Sequence, residues 1–413
     1  MPTNHFFRPN YLVISVLFLN FAANYGNKLK LREMNEIAVV KADTRKAMTH
    51  FVELPRRLYA GNPYYVSDLD IDVRSTFDPK KNAGLEFSDI QPFVAYNSEG
   101  ECVGRVAAII NHRANEKWNV KMVRFGLIEF IDDIQVSSTL LEAVETWGAE
   151  RGMTQIQGPM GISDFDKEGM LVEDFDQMGT MISIYNLPYY PRHMERLGFK
   201  KEVDWVSFQI DVPKVVPDKF ARVTSLVQKR FQLSFRKMSK GELLEGGYGK
   251  RIFELLNMAY APLFGFSALS DRQVDDFLKQ YIPLVDPRLI TGVEDREGRL
   301  VGVAITTHSL SNALNKSRGK LFPLGWYHLL RSLKWKHEGK VDLMLIAVHP
   351  DYQGMGVNAL FFADLIPIYN ELGITLAETG PQLEDNLKEL SQWKTLNPKT
   401  VKRRRCYQKE INK

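Results

Sequence analysis

Hydrophobic and polar positions follow the same plan twice along the chain. Residues 93–110 and 289–306 each combine two apolar strands with a polar turn that contains glycine, a pattern typical of a β-hairpin. Each hairpin is followed by an apolar strand, an amphipathic helix and a second strand that ends in Gly-Pro. A strand–helix–strand unit places its two strands parallel in one sheet. The pattern therefore predicts two similar units with mixed sheets.

The division between the halves is marked by prolines in residues 211–220. We predict an α/β fold (an α+β mixed sheet) with two domains in tandem, residues 35–212 and 218–413, joined by the linker 213–217. Residues 308–339 occur only in the second half and predict a helix–turn–helix insertion rich in aromatic and basic residues, which would act as a lid or as an acceptor wall.

Residues 1–33 are interpreted as an N-terminal extension that is not part of the fold. Their apolar run, residues 11–23, is too short to span a bilayer and ends without a convincing cleavage site. The alternative is that this segment targets or anchors the chain.

Composition narrows the class of protein. With 413 residues and 44% apolar content the chain can bury a large core. The 54 basic and 50 acidic residues predict a mixed surface, not a uniform basic field for nucleic acid. The two cysteines, Cys102 and Cys406, are too few for a disulfide framework and favour a reducing cytoplasm. Beyond residue 33 no apolar run approaches the length of a membrane span.

The segment 349–358, HPDYQGMGVN, lies between an apolar strand and a helical pattern. Glycine at 354 and 356 lets the backbone approach a ligand closely and adopt positive φ, while Pro350 ends the strand. Backbone N–H groups and the positive end of the helix dipole then converge on one spot, which suits a phosphate. A simple tight turn is the alternative, but it explains only the glycines. The spacing matches neither a P-loop nor G-x-G-x-x-G.

The pattern V-x-P-x-Y-Q-G-x-G after a strand resembles the pyrophosphate-binding motif of the GNAT superfamily, the acyl-CoA-dependent N-acyltransferases. Gln353 and Gly356 occupy matching positions of its Q/R-x-x-G-x-G/A motif, and Asn358 stands where Gly or Ala is usual. The resemblance extends over most of residues 218–410. The first half resembles a second, degenerate GNAT fold, and the whole chain is similar to bacterial tandem-GNAT proteins.

The resemblance implies acetyl-CoA or another acyl-CoA as co-substrate, and no metal. It assigns CoA binding to the strand before the loop, to the loop itself and to a later asparagine: Ile346, Val348, Gln353, Gly354, Met355, Gly356, Val357, Asn358 and Asn386. The corresponding junction of the first half lacks glycine and carries Glu129, Asp132 and Asp133, whose charges would repel a diphosphate. Only the second domain is therefore expected to bind CoA.

The catalytic acid and base are less well defined. The tyrosine that protonates the thiolate in the family falls, counted from Asn386, on Trp393, which has no acidic proton. Glu378, at the end of a strand, is the candidate base and Tyr352 the candidate acid; His349 is a further candidate base. The alternative for Glu378 is a surface carboxylate, and for His349 a loop histidine.

Residues 158–199 form a long segment without clear periodicity, and long ordered loops are often functional. Its polar residues predict an acceptor site between the domains for a small-molecule or peptide amine: Asp164, Asp166, Glu168, Tyr185, Asn186 and Tyr189. The alternative is a solvated acidic loop packed by aromatic residues. The D-x-D-x-E spacing lacks the continuation of an EF-hand, so no metal is predicted. The basic residues 401–409 are interpreted as an exposed sheet edge protected by charge, in preference to a nucleic-acid site.

The sequence thus predicts an acyl-CoA-dependent N-acyltransferase, most simply an acetyltransferase, that acts on an amine between two domains. Two alternatives keep the fold. A non-catalytic acyl-CoA-binding or regulatory protein is favoured by the missing tyrosine. A transferase that uses aminoacyl-tRNA is disfavoured by the intact CoA loop. Acyl chain length, acceptor and oligomeric state are open at this stage.

Overall fold

A computed structural model describes residues 37–386, 390 and 392–411. The predicted extension, residues 1–33, lies outside the described residues. The described strands are β1 (Ala38–Lys41), β2 (Ser88–Tyr96), β3 (Cys102–Asn111), β4 (Met122–Phe130), β5 (Gln155–Gly158), β6 (Met170–Glu173), β7 (Lys200–Asp211), β8 (Ser234–Arg236), β9 (Ile290–Glu294), β10 (Leu300–His308), β11 (Lys340–Val348), β12 (Leu376–Thr379), β13 (Gln382–Leu383) and β14 (Lys399–Glu410).

The described α-helices are α1 (Arg45–Leu58), α2 (Asp70–Ser75), α3 (His112–Trp118), α4 (Ile134–Ala149), α5 (Tyr189–Arg196), α6 (Asp218–Phe231), α7 (Lys240–Leu244), α8 (Tyr248–Tyr260), α9 (Asp271–Tyr281), α10 (Ser311–Ser317), α11 (Gly325–Lys334) and α12 (Asn358–Glu371). Short 3₁₀ turns occupy Ala83–Glu86, Ile282–Leu284, Pro287–Leu289, Pro350–Tyr352 and Trp393–Leu396.

One mixed sheet runs through both halves in the order β1-β2-β3-β4-β5-β14-β7-β12-β11-β10-β9-β8. The pairs β4–β5 and β11–β12 are parallel, as the two strand–helix–strand units predict, and the hairpins β2–β3 and β9–β10 are antiparallel. The α/β fold and its internal repeat are therefore confirmed.

The strand glycines Gly104 and Gly302 occupy corresponding places, in β3 and β10. A Cβ atom at Gly104 would lie 2.6 Å from Leu140 of α4, and one at Gly302 would lie 2.9 Å from Phe361 of α12. In each half a glycine thus lets the crossover helix pack closely on the sheet, where it buries an apolar face.

The centre of the sheet is built by an exchange of strands between the halves. β14, the last strand of the chain, pairs with β5 of the first half and with β7, and β7 in turn pairs with β12 of the second half. The prediction of an exposed edge at residues 401–409 is wrong, because β14 has a partner on both sides. Lys402 and Arg404 on this strand are each only 1% exposed.

The buried cations of β14 have ion-pair or hydrogen-bond partners that are distant in sequence. Asp204 of β7 accepts hydrogen bonds from Arg405 at 2.8 and 3.0 Å and from Arg403 at 3.2 Å. The Arg404 guanidinium donates to the carbonyl of Ile184 at 3.0 Å. Burial lowers the pKa of Arg404 to about 10. A run of basic residues at the centre of a sheet is stable here because its charges are paired.

Candidate functional site

The loop between β11 and α12 has the conformation that its glycines predict. Gly354 and Gly356 have φ values of +75° and +87°, in the region that L side chains rarely adopt. Space around a Cβ atom at Gly354 is open, whereas one at Gly356 would lie 2.9 Å from Val223 of α6. Gly356 is therefore required both by its φ angle and by the close approach of α6.

The backbone N–H groups of this loop form a concentrated set of unused donors. The Gln353 N–H donates to Pro350 and the Met355 N–H to Tyr352, each at 3.3 Å. Within the described chain, four further N–H groups at the start of α12 have no acceptor: those of Gly354, Gly356, Val357 and Asn358. Four donors at the N-terminus of a fourteen-residue helix form a favourable anion site.

The side chains predicted to bind CoA have different positions around this loop. Gln353 is exposed and its amide donates to the Val348 carbonyl at 3.1 Å, so it braces the loop. Met355 is 40% exposed, whereas Val357 is buried in the core beneath α12 and offers only its main chain. The Asn358 side-chain oxygen is buried and has no hydrogen-bond partner.

Next to the loop, β11 and β12 separate. Their parallel pairing stops at Leu343 and Thr379, and the Gly380 N–H closes it with a hydrogen bond of 3.0 Å to the Leu343 carbonyl. β11 continues for five residues beyond this point without β12 beside it. On its other side β11 stays paired with β10, with Met344 as the extra residue of a β-bulge. A forked opening in the sheet results.

Ile346 and Val348 line the fork with their main chain. The Ile346 carbonyl accepts from the Tyr260 hydroxyl at 3.1 Å, and the Val348 carbonyl accepts from Gln353, so both carbonyls point away from β10. In an antiparallel strand the N–H and the C=O of one residue point the same way. The N–H groups of Ile346 and Val348 therefore face the fork as well, where a ligand carbonyl can accept from them.

An apolar cavity of about 30 Å³ lies on the α12 side of the fork. Its walls come from the separated strands, from β7 and from α12, and include Leu343, Ile346, Ala377, Ile210, Val212, Phe361 and Leu365. Trp393 closes the cavity; it is fully buried, and its indole N–H donates to the Gln382 side chain at 2.8 Å. Asn386 lies in the turn after β13, where its N–H donates to the Leu383 carbonyl at 3.1 Å.

Glu378 is not the surface carboxylate of the alternative interpretation. It is 1% exposed, and it forms ion pairs with Lys340 at 2.6 Å and with Lys402. Burial alone would raise its pKa, but the two lysines outweigh burial and hold the pKa of Glu378 at about 2. Burial lowers the pKa of Lys402 to about 8 despite its ion pair with Glu378. A carboxylate with so low a pKa holds a proton poorly, which disfavours Glu378 as a base.

Asp342 is a residue that the sequence analysis missed. It lies beside Glu378 in the parallel register, one residue before the strands separate, and it is 1% exposed. Neither of its carboxylate oxygens has a hydrogen-bond partner at normal length, although the Ser309 side chain is close enough to act against the rise in its pKa. Burial, together with the charge of Glu378, raises the pKa of Asp342 to about 7 against the opposing effect of Lys340. A carboxylate that titrates near neutral pH is suited to general-base chemistry.

The Tyr352 hydroxyl points away from the fork. It hydrogen-bonds to Asp295 at 3.3 Å and accepts from Arg299 at 3.4 Å, both in the turn between β9 and β10. Because β10 separates that turn from β12, Tyr352 supports the loop from the side opposite the fork. His349, the other candidate, accepts from the Asp351 N–H at 3.3 Å through its own ring nitrogen.

The corresponding junction of the first half already contains its own acceptor. The Asp133 carboxylate accepts from the Gln135 N–H at 2.8 Å and so caps the N-terminus of α4. Glu129 points inward, where it accepts from the hydroxyls of Tyr59 and Tyr190 at 2.6 Å each. This junction has a negative charge where the second half has unused N–H groups.

The predicted acceptor residues separate into two groups. Tyr185, Asn186 and Tyr189 make hydrogen bonds inside the first half: Tyr185 to the Phe175 carbonyl, Asn186 to both main-chain groups of Leu171, and Tyr189 to the Phe130 carbonyl. The segment 58–66 contacts Tyr185: the Tyr59 ring packs against it and stacks on Tyr65, and Asn62 donates to the Tyr185 hydroxyl.

The three acidic residues lie near the other end of β4. Burial raises the pKa of Asp164 to about 7 against the opposing charge of Arg124, whose guanidinium donates to the Gly265 carbonyl at 3.1 Å. Asp166 is exposed and accepts from the Ser163 N–H, and one oxygen of Glu168 is buried without a partner. Arg124 and Phe130 are six residues apart on β4, roughly 20 Å at the rise of a strand. The structure therefore does not bring the six residues into one cluster.

In residues 37–386, 390 and 392–411, no group of three or more His, Cys, Asp or Glu side chains is arranged to hold a metal ion. Across the same part of the chain, no helix combines the length and the apolar character needed to cross a membrane.

Two curated proteins resemble this chain in sequence. The chain is 26% identical to a bacterial ceramide synthase of Caulobacter vibrioides (strain NA1000 / CB15N) over 326 residues, 77% of this chain and 82% of that protein. It is 26% identical to Protein YghO of Escherichia coli (strain K12) over 368 residues, 87% of this chain and 92% of that protein. No protein-family model matches the chain.

Among solved structures, a tandem GNAT protein from the clavulanic acid biosynthesis pathway superposes with a TM-score of 0.52. The two are 12% identical, and the superposition covers 92% of this chain and 99% of that protein. The chain thus has the fold of the GCN5-related N-acetyltransferases in tandem, and the predicted resemblance is confirmed at the level of the fold.

Proposed function

We propose that the protein is an acyl-CoA-dependent N-acyltransferase with its donor site in the second half. In this proposal the two domains are residues 35–212 and 218–413, and they exchange their last strands. The observation that carries this proposal is the combination of four unused N–H groups at the start of α12 with a fork between β11 and β12. The N–H groups fit a diphosphate. The fork would take the pantetheine arm, and the apolar side chains around the small cavity beside it would contact the start of an acyl chain.

The reaction requires a new C–N bond and the loss of a C–S bond. The acceptor amine attacks the thioester carbon, CoA leaves as a thiolate, and the amine gives up one proton. In this proposal the N–H groups of Ile346 and Val348 polarise the thioester carbonyl of the donor. We assign the proton from the amine to Asp342, whose pKa of about 7 suits a base, and leave Glu378 as its charged neighbour. Since Trp393 has no acidic proton, the thiolate takes its proton from water, and Asp342 then returns the amine proton to the resulting hydroxide.

The acceptor is proposed to be the amine of a long-chain amino alcohol, and the donor a long-chain acyl-CoA. Support comes from the name of the Caulobacter relative, because a ceramide is an amide of such an amine with a fatty acid. The apolar lining of the cavity at the fork agrees with an acyl chain. Of the predicted acceptor contacts, Asp164, Asp166 and Glu168 stay in this proposal as one group, whereas Tyr185, Asn186 and Tyr189 make hydrogen bonds inside the first half.

A release assay tests the proposal. Free thiol would be followed with acetyl-CoA and palmitoyl-CoA, each combined with a long-chain amino alcohol or with a short water-soluble amine. We expect thiol release that depends on the amine and is fastest with the two long-chain partners. Binding of acyl-CoA without amine-dependent thiol release would favour the non-catalytic alternative. The observation that supports this alternative is the fully buried Trp393, which stands in place of the tyrosine acid. Absence of any CoA binding contradicts both.

The loop gives a prediction with a matched control at Gly354. Replacement by Asp or by Asn adds side chains of nearly equal size into open space, and both residues tolerate positive φ better than most. Only Asp adds a negative charge beside the diphosphate. We expect Gly354→Asp to weaken CoA binding by about tenfold or more relative to Gly354→Asn, measured by calorimetric titration. Equal affinities of the two variants would exclude the loop as the diphosphate site.

A further inference from the structure

A strip of large apolar side chains is exposed on the insertion between β10 and β11. Its members, which we call the insertion strip, are Phe322 (76% exposed), Leu324 (61%), Trp326 (46%), Tyr327 (39%) and Trp335 (65%). Large exposed apolar patches mark surfaces that contact a partner or a membrane. The insertion strip lies within fourteen residues and belongs to an element found in only one half of the repeat.

The insertion strip extends from the turn before α11 to the residue after it, and contacts between aromatic rings connect its members. One face of this helix, with Leu329 and Leu333, packs against Val66 and against Leu310 and Leu314, the latter two at the start of the insertion. Trp326 lies in the first turn of the helix, Tyr327 lies on the face opposite Leu329 and Leu333, and Trp335 follows the last helical residue. The Tyr327 ring centroid lies 6.1 Å from that of Trp326 and 6.3 Å from that of Trp335, and the exposed turn with Phe322 and Leu324 precedes the helix.

Basic residues predominate in the insertion that carries the strip. Residues 308–339 contain six basic residues, Lys316, Arg318, Lys320, Arg331, Lys334 and Lys336, and one acidic residue, Glu338. Glu338 is engaged by the Asn312 side chain at 2.8 Å. Lys320 lies 3.8 Å from Glu53; the other five cations have no carboxylate within ion-pair distance in the described chain.

We propose that the insertion strip docks the protein on the surface of an anionic lipid bilayer. Aromatic and aliphatic side chains surrounded by Lys and Arg are the composition of helices that lie at the interface of a membrane. The cations complement the negative headgroups, and the exposed turn with Phe322 and Leu324 reaches the boundary of the acyl chains. The strip thus lies on the bilayer without spanning it.

A lipid surface accounts for the strip better than a nucleic acid does. Phosphate binding would use the cations, and base stacking would use the aromatic rings, but neither uses Leu324 on the exposed turn. The place of the insertion also fits a lipid surface: it connects β10 directly to β11, the strand that carries Asp342 and the fork. Docking would place the fork near lipid, whether or not the protein transfers acyl groups.

Vesicle co-sedimentation of the full chain tests this proposal. The probes are vesicles of phosphatidylcholine alone and of phosphatidylcholine with phosphatidylglycerol. We expect sedimentation with the anionic vesicles, reduced by added salt, and a shift of tryptophan emission to shorter wavelength. For the triple variant Phe322→Ser, Leu324→Ser, Trp335→Ser, we expect the affinity for anionic vesicles to fall by at least about tenfold.

The matched control replaces exposed apolar residues elsewhere: Val215→Ser, Leu226→Ser and Met258→Ser, which are 76%, 67% and 46% exposed. This control should bind vesicles like the unmodified chain. Calorimetric titration with CoA in the absence of lipid should give the same affinity for the strip variant and the unmodified chain, which separates docking from the donor site. Equal vesicle binding by the strip variant and the control would overturn the proposal, as would binding to single-stranded RNA but not to anionic vesicles.

Discussion

Asp342→Asn is expected to reduce amine-dependent turnover by about 10²- to 10⁴-fold, the usual contribution of a general base. The substitution keeps the shape of the side chain and removes its ability to take a proton. CoA affinity should stay unchanged, because the loop at the start of α12 and the fork main chain are not altered. Steady-state thiol release and calorimetric titration measure the two quantities separately.

The pH profile gives the same prediction a second readout. A base must be deprotonated to act, so the rate should rise with pH through about 7, the pKa of Asp342, and level off above it. Asp342→Asn should lose this rise. Asp218→Asn removes a carboxylate that is 91% exposed in its side chain, and it serves as the control that retains both rate and profile. An Asp342→Asn enzyme with normal turnover would rule out the assignment.

The same variant should be more stable, not less. The folded pKa of Asp342 is raised above the ordinary carboxyl value of 3.8, so the protonated form is favoured by folding. The contribution of Asp342 to the stability of the fold is therefore fully present below pH 3.8 and is lost as the pH rises through about 7. Removal of an unpaired buried carboxylate relieves this cost at neutral pH. Loss of activity together with retained stability would separate a catalytic role from a structural one.

Local patterns in the sequence predicted the repeated units and the conformation of the loop at residues 349–358, for a physical reason. The conformation of a strand, a loop and a helix that follow one another depends mainly on residues close in sequence. A local pattern is therefore sufficient to predict it. The parallel pairs β4–β5 and β11–β12 and the positive φ of Gly354 and Gly356 follow from such patterns.

The centre of the sheet was not predictable in this way. The sequence around Lys402 and Arg404 predicts surface residues, because neither has a partner nearby along the chain. Their partners, Glu378 and the Ile184 carbonyl, lie 24 and 220 positions away. Asp342 was overlooked for a related reason. Its only sequence signal is a carboxylate in the apolar run VDLMLIAV, whereas its burial without a hydrogen bond of normal length is a property of the folded state.

Glu378→Gln is expected to destabilise the fold by about 3–5 kcal/mol, because it leaves two buried or half-buried lysines without their counter-charge. Lys402 is 1% exposed and hydrogen-bonded to Glu378, and Lys340 is bonded to the other carboxylate oxygen at 2.6 Å. The free energy of unfolding from denaturant titration measures this loss. The double variant Glu378→Gln, Lys402→Met is the matched control; by removing the most deeply buried charge it should recover part of the stability.

The pH dependence of this ion pair has a defined sign. The pKa of Glu378, about 2 in the folded state, lies below its ordinary value of 4.5, so its ionised form stabilises the fold above pH 4.5, and that contribution is lost as the pH falls through 2. Glu378→Gln should therefore weaken the acid dependence of stability. If the variant instead keeps its stability and loses turnover, Glu378 and not Asp342 is the base. The two carboxylates, side by side on β12 and β11, are thus distinguished by which variant loses the fold and which loses the reaction.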